Sequence, residues 1–133
     1  MSEVYELWDF LDGRKKNIIL QWVKDDRLTI GDRAKLNNKI KRLSQLDFEL
    51  AKSTKLLAGP IHKHIYKLII HGDVMLRPML CCGPINKETE YTFLHGAVET
   101  GGKLPPTVAE RAEENREAIL NDPTRRCKHA RIV

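Results

Sequence analysis

The chain has no apolar run of about eighteen residues or more and no charged leader ahead of an apolar stretch. Neither a membrane span nor a secretory signal is therefore expected, and a cytoplasmic protein is. Cysteine is scarce: three residues, an odd number, with no C-x-x-C spacing, which argues against a disulfide scaffold and a zinc ribbon. Cys81 and Cys82 are adjacent, and neighbours in a strand point to opposite faces, so they are poor candidates for bonding to each other. Reduced thiols and no metal or other cofactor are the expectation. Aromatic residues make up only 6% of the chain, so any stacking role falls on a few positions.

What is present is charge. Twenty-three lysines and arginines against 18 acids leave a net +5, which turns the partner list toward nucleic acid, the ribosome or an acidic protein. A length of 133 residues fits a single domain over residues 1–133 with one modest core.

Periodicity divides the chain in two. Val4 to Leu11 is rich in strand formers and ends at the turn signal Asp12-Gly13. Ile18, Ile19, Trp22 and Val23 fall on one face of a helix from about Arg14 to Asp25. Thr29 and Asp32 open a second helix, whose stripe of Leu36, Ile40, Leu43, Leu46 and Leu50 runs between lysines. Gly59-Pro60 closes this helical half. Strands follow: Ile61 to Ile70, Val74 to Cys82, and about Thr89 to Val98, paired as an antiparallel meander. Thr107 with Glu110 has capping-box spacing for a last helix over about Val108 to Asn121, behind which a basic tail runs from 123 to 133. The expected architecture is α+β: about four antiparallel strands covered on one face by two N-terminal helices, plus a C-terminal helix. The opposite face is then partly open, a seat for an extended polyanion.

Metal-free cleavage of RNA needs a base for the 2′-OH, a cation for the crowded phosphate and an acid for the leaving 5′-oxygen. Histidine suits proton transfer, with an unperturbed pKa of roughly 6.5, and arginine suits the phosphate through its planar fork. The available set includes His62, His64, Tyr66, His71, Arg77, Tyr91, His95 and Lys103. Along the first meander strand, alternation puts His62, His64 and Tyr66 on one face and Lys63 and Lys67 on the other. If the histidine face is open, those side chains can join Arg77 and His95. If the lysine face is open, Lys63 and Lys67 form a phosphate-holding stripe. Arg77 sits alone in an apolar strand and needs an anion: either a scissile phosphate or a carboxylate across the sheet, Glu88 or Glu90.

The order of elements, together with Lys55-Leu56-Leu57-Ala58-Gly59 leading to Ile65-Tyr66-Lys67-Leu68, Arg77, and Phe93-Leu94-His95-Gly96 running through Lys103-Leu104-Pro105-Pro106, resembles the RelE/HigB toxin superfamily, in its phage-derived HigB-like branch. The resemblance implies a RelE-like fold and a toxin of a type II toxin-antitoxin system, a metal-free endoribonuclease acting on messenger RNA at the ribosome. It also implies a helix-turn-helix antitoxin as partner; oligomeric state stays open. Carried over residue by residue, Arg77 would hold the phosphate, His95 or His64 would serve as acid or base, and Lys103 would support charge. Lys63, Tyr66, Lys67, Arg125 and Arg126 would contact RNA. Three positions that the family fills with basic residues are not basic here. The first-strand motif usually reads leucine, tyrosine, glutamate, leucine, arginine, and here it has Lys67 for the glutamate and Ile69 for the arginine. A lysine pair before the lysine-proline motif is replaced by Glu99 and Thr100. These departures favour an alternative, a non-catalytic RelE-fold protein that binds a partner protein or nucleic acid. A gyrase-directed toxin of the same fold is a third reading.

Overall fold

Asn17 sets the start of the first helix, its side-chain oxygen accepting from the backbone N–H groups of Ile19 and Leu20, so α1 begins at Ile18 rather than Arg14. The computed structural model describes residues 5–133. In chain order its elements are β1 (Glu6–Phe10), α1 (Ile18–Asp25), α2 (Ile30–Ser44), α3 (Phe48–Ser53), β2 (Leu57–His62), β3 (Ile65–Leu68), β4 (Ile70–His71), β5 (Met75–Cys82), β6 (Glu90–Glu99), α4 (Val108–Asn121) and β7 (Arg126–Lys128). Val4, the first residue of the expected N-terminal strand, lies outside the described residues.

The α+β class holds; the sheet is larger than expected and mixed. Its order is β2-β3-β5-β6-β1-β7, with β4 pairing β5. β1 lies parallel to β6, and the remaining pairs are antiparallel. The strand expected over Ile61 to Ile70 is instead a hairpin turning at Lys63-His64, with Lys63 at φ +48°. Gly59-Pro60 therefore lies inside β2 and does not mark the end of the helical half. The long second helix is also interrupted. The side chain of Asp47 caps Leu50, which restarts the chain as the short α3.

The open face is the largest correction. On one side of the sheet Ile19, Trp22 and Val23 of α1, Leu36, Ile40 and Leu43 of α2 and Ala51 of α3 pack with Leu57, Leu68, Leu76, Leu80 and Phe93. On the other side Val108, Ala112 and Ile119 of α4 pack with Phe10, Ile65, Met79, Cys81, Leu94 and Ala97. The apolar set of α4 is small but lies on one stripe, and small side chains let the helix sit close to the strands. Both faces carry packed helices, so among the described residues the expected open sheet face is not found. Nor does the basic tail hang free: β7 joins the edge of the sheet beside β1, and Ile132 is buried in the core.

The Thr29–Asp32 capping box forms as expected. The one expected at Thr107 does not, because Thr107 adopts φ +67°, which turns its hydroxyl away from the free N–H groups of α4.

Candidate functional site

Arg77 follows the apolar alternation of β5 and faces the side that α4 covers, where it is only 5% exposed. Its anion is a carboxylate across the sheet, as the structural alternative requires, but the partner is Glu99, at 3.1 Å from Nη2, rather than Glu88 or Glu90. Register explains this: Arg77 pairs with Ala97 and Met75 with Glu99, so the long guanidinium arm reaches the carboxylate two residues along the neighbouring strand. Nη1 donates to the carbonyls of Ile70 and Leu76, while Nε is buried without a partner. Lys67 closes the network at 2.5 Å from the other oxygen of Glu99. Burial alone would push the Glu99 carboxyl up, but the hydrogen bonds from Lys67 and Arg77 outweigh it and hold the group below the usual carboxylate range.

The remaining expected site residues are scattered. His95 lies in a cleft between α1 and the segment entering α4, lined by Trp22, Asp26, Gly96 and Val108. Its Nδ1 is buried without a partner, and burial, helped by Arg111, pushes its pKa down. Lys103 stands exposed in the turn after β6, where its backbone pairs with Thr100. Arg126 is committed at the opposite edge, 2.5 Å from Glu90 and with its guanidinium carbon 4.0 Å from the centre of the Trp8 ring. Arg125 donates through Nε to the carbonyl of Leu11 and covers Phe10.

One group is built differently. At the tip of the β2–β3 hairpin, His64 places Nδ1 3.0 Å from Oε1 of Glu113 on α4. The other oxygen of Glu113 accepts from Arg116 at 3.1 Å, one helical turn on. Glu113 is buried, with a side chain 5% exposed, whereas that of His64 is 58% exposed. Burial again pushes the carboxyl up, and the bonds to His64 and Arg116 prevail and lower it. An ionised Glu113 accepts only, so in the neutral imidazole the Nδ1–H donates to it and the Nε2 lone pair points away from the carboxylate. A carboxylate holding one ring nitrogen so that the other can take a proton is the arrangement of a general base.

His64 lines a groove of about 310 Å³ together with Lys63, Tyr66, Lys87, Arg116 and Phe48. Tyr66 meets the Phe48 ring edge-on at 4.9 Å, and the Lys52 ammonium lies 4.9 Å from the Phe48 centroid. Cys82, at the groove wall, is no nucleophile at neutral pH, since burial pushes its thiol up to about 11. The groove thus brings together Lys63, His64 and Tyr66 of the expected set; Arg77, His95, Lys103 and the tail arginines lie elsewhere. Sequence reasoning missed Glu113, Arg116 and Lys87. Glu113 and Arg116 share an i, i+3 pairing that marks one face of α4, but nothing local shows that this face meets a hairpin 49 residues earlier in the chain. Comparison of the chain with known protein families, curated proteins and solved structures yields no match.

Proposed function

We propose that the chain is a toxin of the RelE/HigB kind that cleaves messenger RNA at the ribosome without a metal, using the His64 groove rather than Arg77. The observation that carries the chemistry is the exposed imidazole oriented by Glu113, set among Lys63, Lys87 and two aromatic rings. His64 Nε2 takes the proton of a ribose 2′-OH; the 2′-oxygen attacks phosphorus and the P–O5′ bond breaks. Lys63 and Lys87 offset the growing charge on the phosphate, and one of their ammonium groups protonates the leaving 5′-oxygen. Tyr66 and Phe48 offer stacking surface to an unpaired base.

Support for the family comes from its apparent departures. Lys67 occupies the motif position of a glutamate and Glu99 that of a lysine, and the two side chains form an ion pair. The two changes of sign therefore fall on side chains that neutralise each other. A helix-turn-helix antitoxin as partner and a cytoplasmic location belong to the same proposal.

A specific observation favours the second reading, a non-catalytic relative that binds a partner: the family's phosphate-holding arginine is here neutralised by Glu99. Induced expression in a bacterial host separates the two. The toxin reading predicts growth arrest and new 5′ ends on cellular messages by primer extension, both abolished by His64→Ala. Arrest without new ends, or no arrest, supports the binding protein.

A further inference from the structure

Beyond the His64 groove, at the other edge of the sheet, β7 carries the chain to a second histidine held by a carboxylate. His129 places Nδ1 2.9 Å from both oxygens of Asp9. Asp9 is 1% exposed and also accepts from the Asn17 side chain at 2.9 Å, so its position on β1 is fixed twice over. The His129 side chain is 7% exposed. Its side-chain hydrogen bonds all run through Nδ1, which leaves Nε2 uncommitted among the described residues.

The segment that follows is anchored rather than loose. The backbone N–H of His129 donates to Leu7, and Asn37 of α2 clamps Ile132 in both directions, at 2.7 and 2.9 Å. Arg131 is therefore held between two fixed residues. Between this segment and α2 lies a cleft of about 400 Å³ whose lining includes His129, Arg131, Lys41, Asn38 and Gln45, with Leu7 as an apolar wall. Among the described residues neither Lys41 nor Arg131 enters an ion pair, and the one buried carboxylate nearby is turned to His129.

We propose that this cleft is a second ligand site, for a small phosphate monoester. Two unpaired cations at the rim match the phosphate, which two charge-assisted hydrogen bonds can hold, while the neutral His129 ring, its Nδ1–H given to Asp9, offers the Nε2 lone pair to a ligand hydroxyl. The side-chain amides of Asn38 and Gln45 then meet donors and acceptors on the organic part. The volume supports an ester over a free phosphate: a cleft of about 400 Å³ is in the range of small-molecule sites and is many times the volume of one inorganic anion. The site uses no residue of the His64 groove.

Amide and imidazole resonances of the full chain, followed by NMR during titration with a nucleoside 5′-monophosphate, test this. Saturable shifts are expected at Asn38, Gln45 and His129, with weaker binding of the unphosphorylated nucleoside and of inorganic phosphate. Lys41→Gln and Arg131→Gln, both exposed and outside the core, should each weaken binding about tenfold while the rest of the spectrum is unchanged. His64→Ala should bind as the parent does, which keeps this outcome separate from any fate of the RNA-cleaving site. No saturable shift by about 10 mM monophosphate, a weak-binding limit of about 3 kcal/mol, or shifts that survive the Lys41→Gln/Arg131→Gln double variant, would overturn the site. Inorganic phosphate binding as tightly as the monophosphate would overturn the assignment to an ester.

Discussion

Replacing Glu99 with glutamine should damage this protein more than replacing any exposed charge, and the reason lies in what the carboxylate holds. Among the described residues Glu99 alone balances the buried guanidinium of Arg77, and it also takes the ammonium of Lys67, whose side chain is 21% exposed. Breaking a buried pair by removing one member strands the other, at about 3–5 kcal/mol. Glutamine keeps one hydrogen-bond acceptor, so the lower end, about 3 kcal/mol, is expected. That is a large share of a typical stability of about 5–15 kcal/mol and corresponds to a fall of about 10 °C in Tm for a chain of this size. Arg77→Met should cost less, because Glu99 retains Lys67 and methionine fills the space; about 2 kcal/mol covers the lost bonds to the Ile70 and Leu76 carbonyls. The double variant should be more stable than the sum of the singles predicts, with a coupling of about 1–3 kcal/mol. Urea unfolding at pH 7, followed by tryptophan fluorescence, gives all four corners of the cycle. The network also carries a pH signature. The folded pKa of Glu99 lies below its unfolded value of about 4.3, so its contribution is complete above that pH and is lost as pH falls through the folded value. Glu99→Gln should flatten that acid limb. A cost below about 1 kcal/mol, with no coupling to Arg77, would refute the reasoning.

Three further outcomes follow from single residues. A methyl group at Gly96 would lie 2.1 Å from the Trp22 ring, so Gly96→Ala must displace the indole from β6, at about 1–3 kcal/mol or more by urea unfolding. Thr107, β-branched at φ +67° and making no side-chain cap, should be relieved by Thr107→Gly, with a gain of about 1 kcal/mol read as a higher Tm. The His95 ring, buried and near Arg111, should titrate by NMR below the ordinary value of about 6.5; since the unfolded chain then binds a proton that the folded one refuses, stability should decline as pH drops below about 6.5, and His95→Gln should remove that part of the decline.

Much of the fold was legible because local signals agreed with the final packing. The ranges of β5, β6 and α4 match their periodic segments within a residue or two, and Thr29 caps α2 as its spacing indicates. Errors arose where a strong local signal had a different tertiary use. Gly59-Pro60 reads as a break but occupies a strand, and Lys63-His64 carries no glycine or proline yet turns a hairpin through the left-handed backbone of Lys63. β7 was hidden in a basic run whose arginines lie over Trp8 and Phe10, an amphipathic use of charge that composition does not reveal. The site was harder still. Glu99 stood as a departure from the family's lysine pair and is the counter-ion of Arg77 and Lys67, and Glu113, to which the sequence assigned no role, positions His64. Both relations join residues far apart in sequence, where spacing carries no information.

The central claim is that any RNA cleavage passes through His64 and not Arg77. Its most direct test is the rate at which purified chain cuts ribosome-bound message, normalised to the folded fraction, for the parent, His64→Gln and Arg77→Met. The account predicts that His64→Gln loses about 10²-fold or more, as expected for removal of a general base, while folded Arg77→Met cuts at nearly the parental rate. Cleavage that survives His64→Gln but disappears from fully folded Arg77→Met would contradict it.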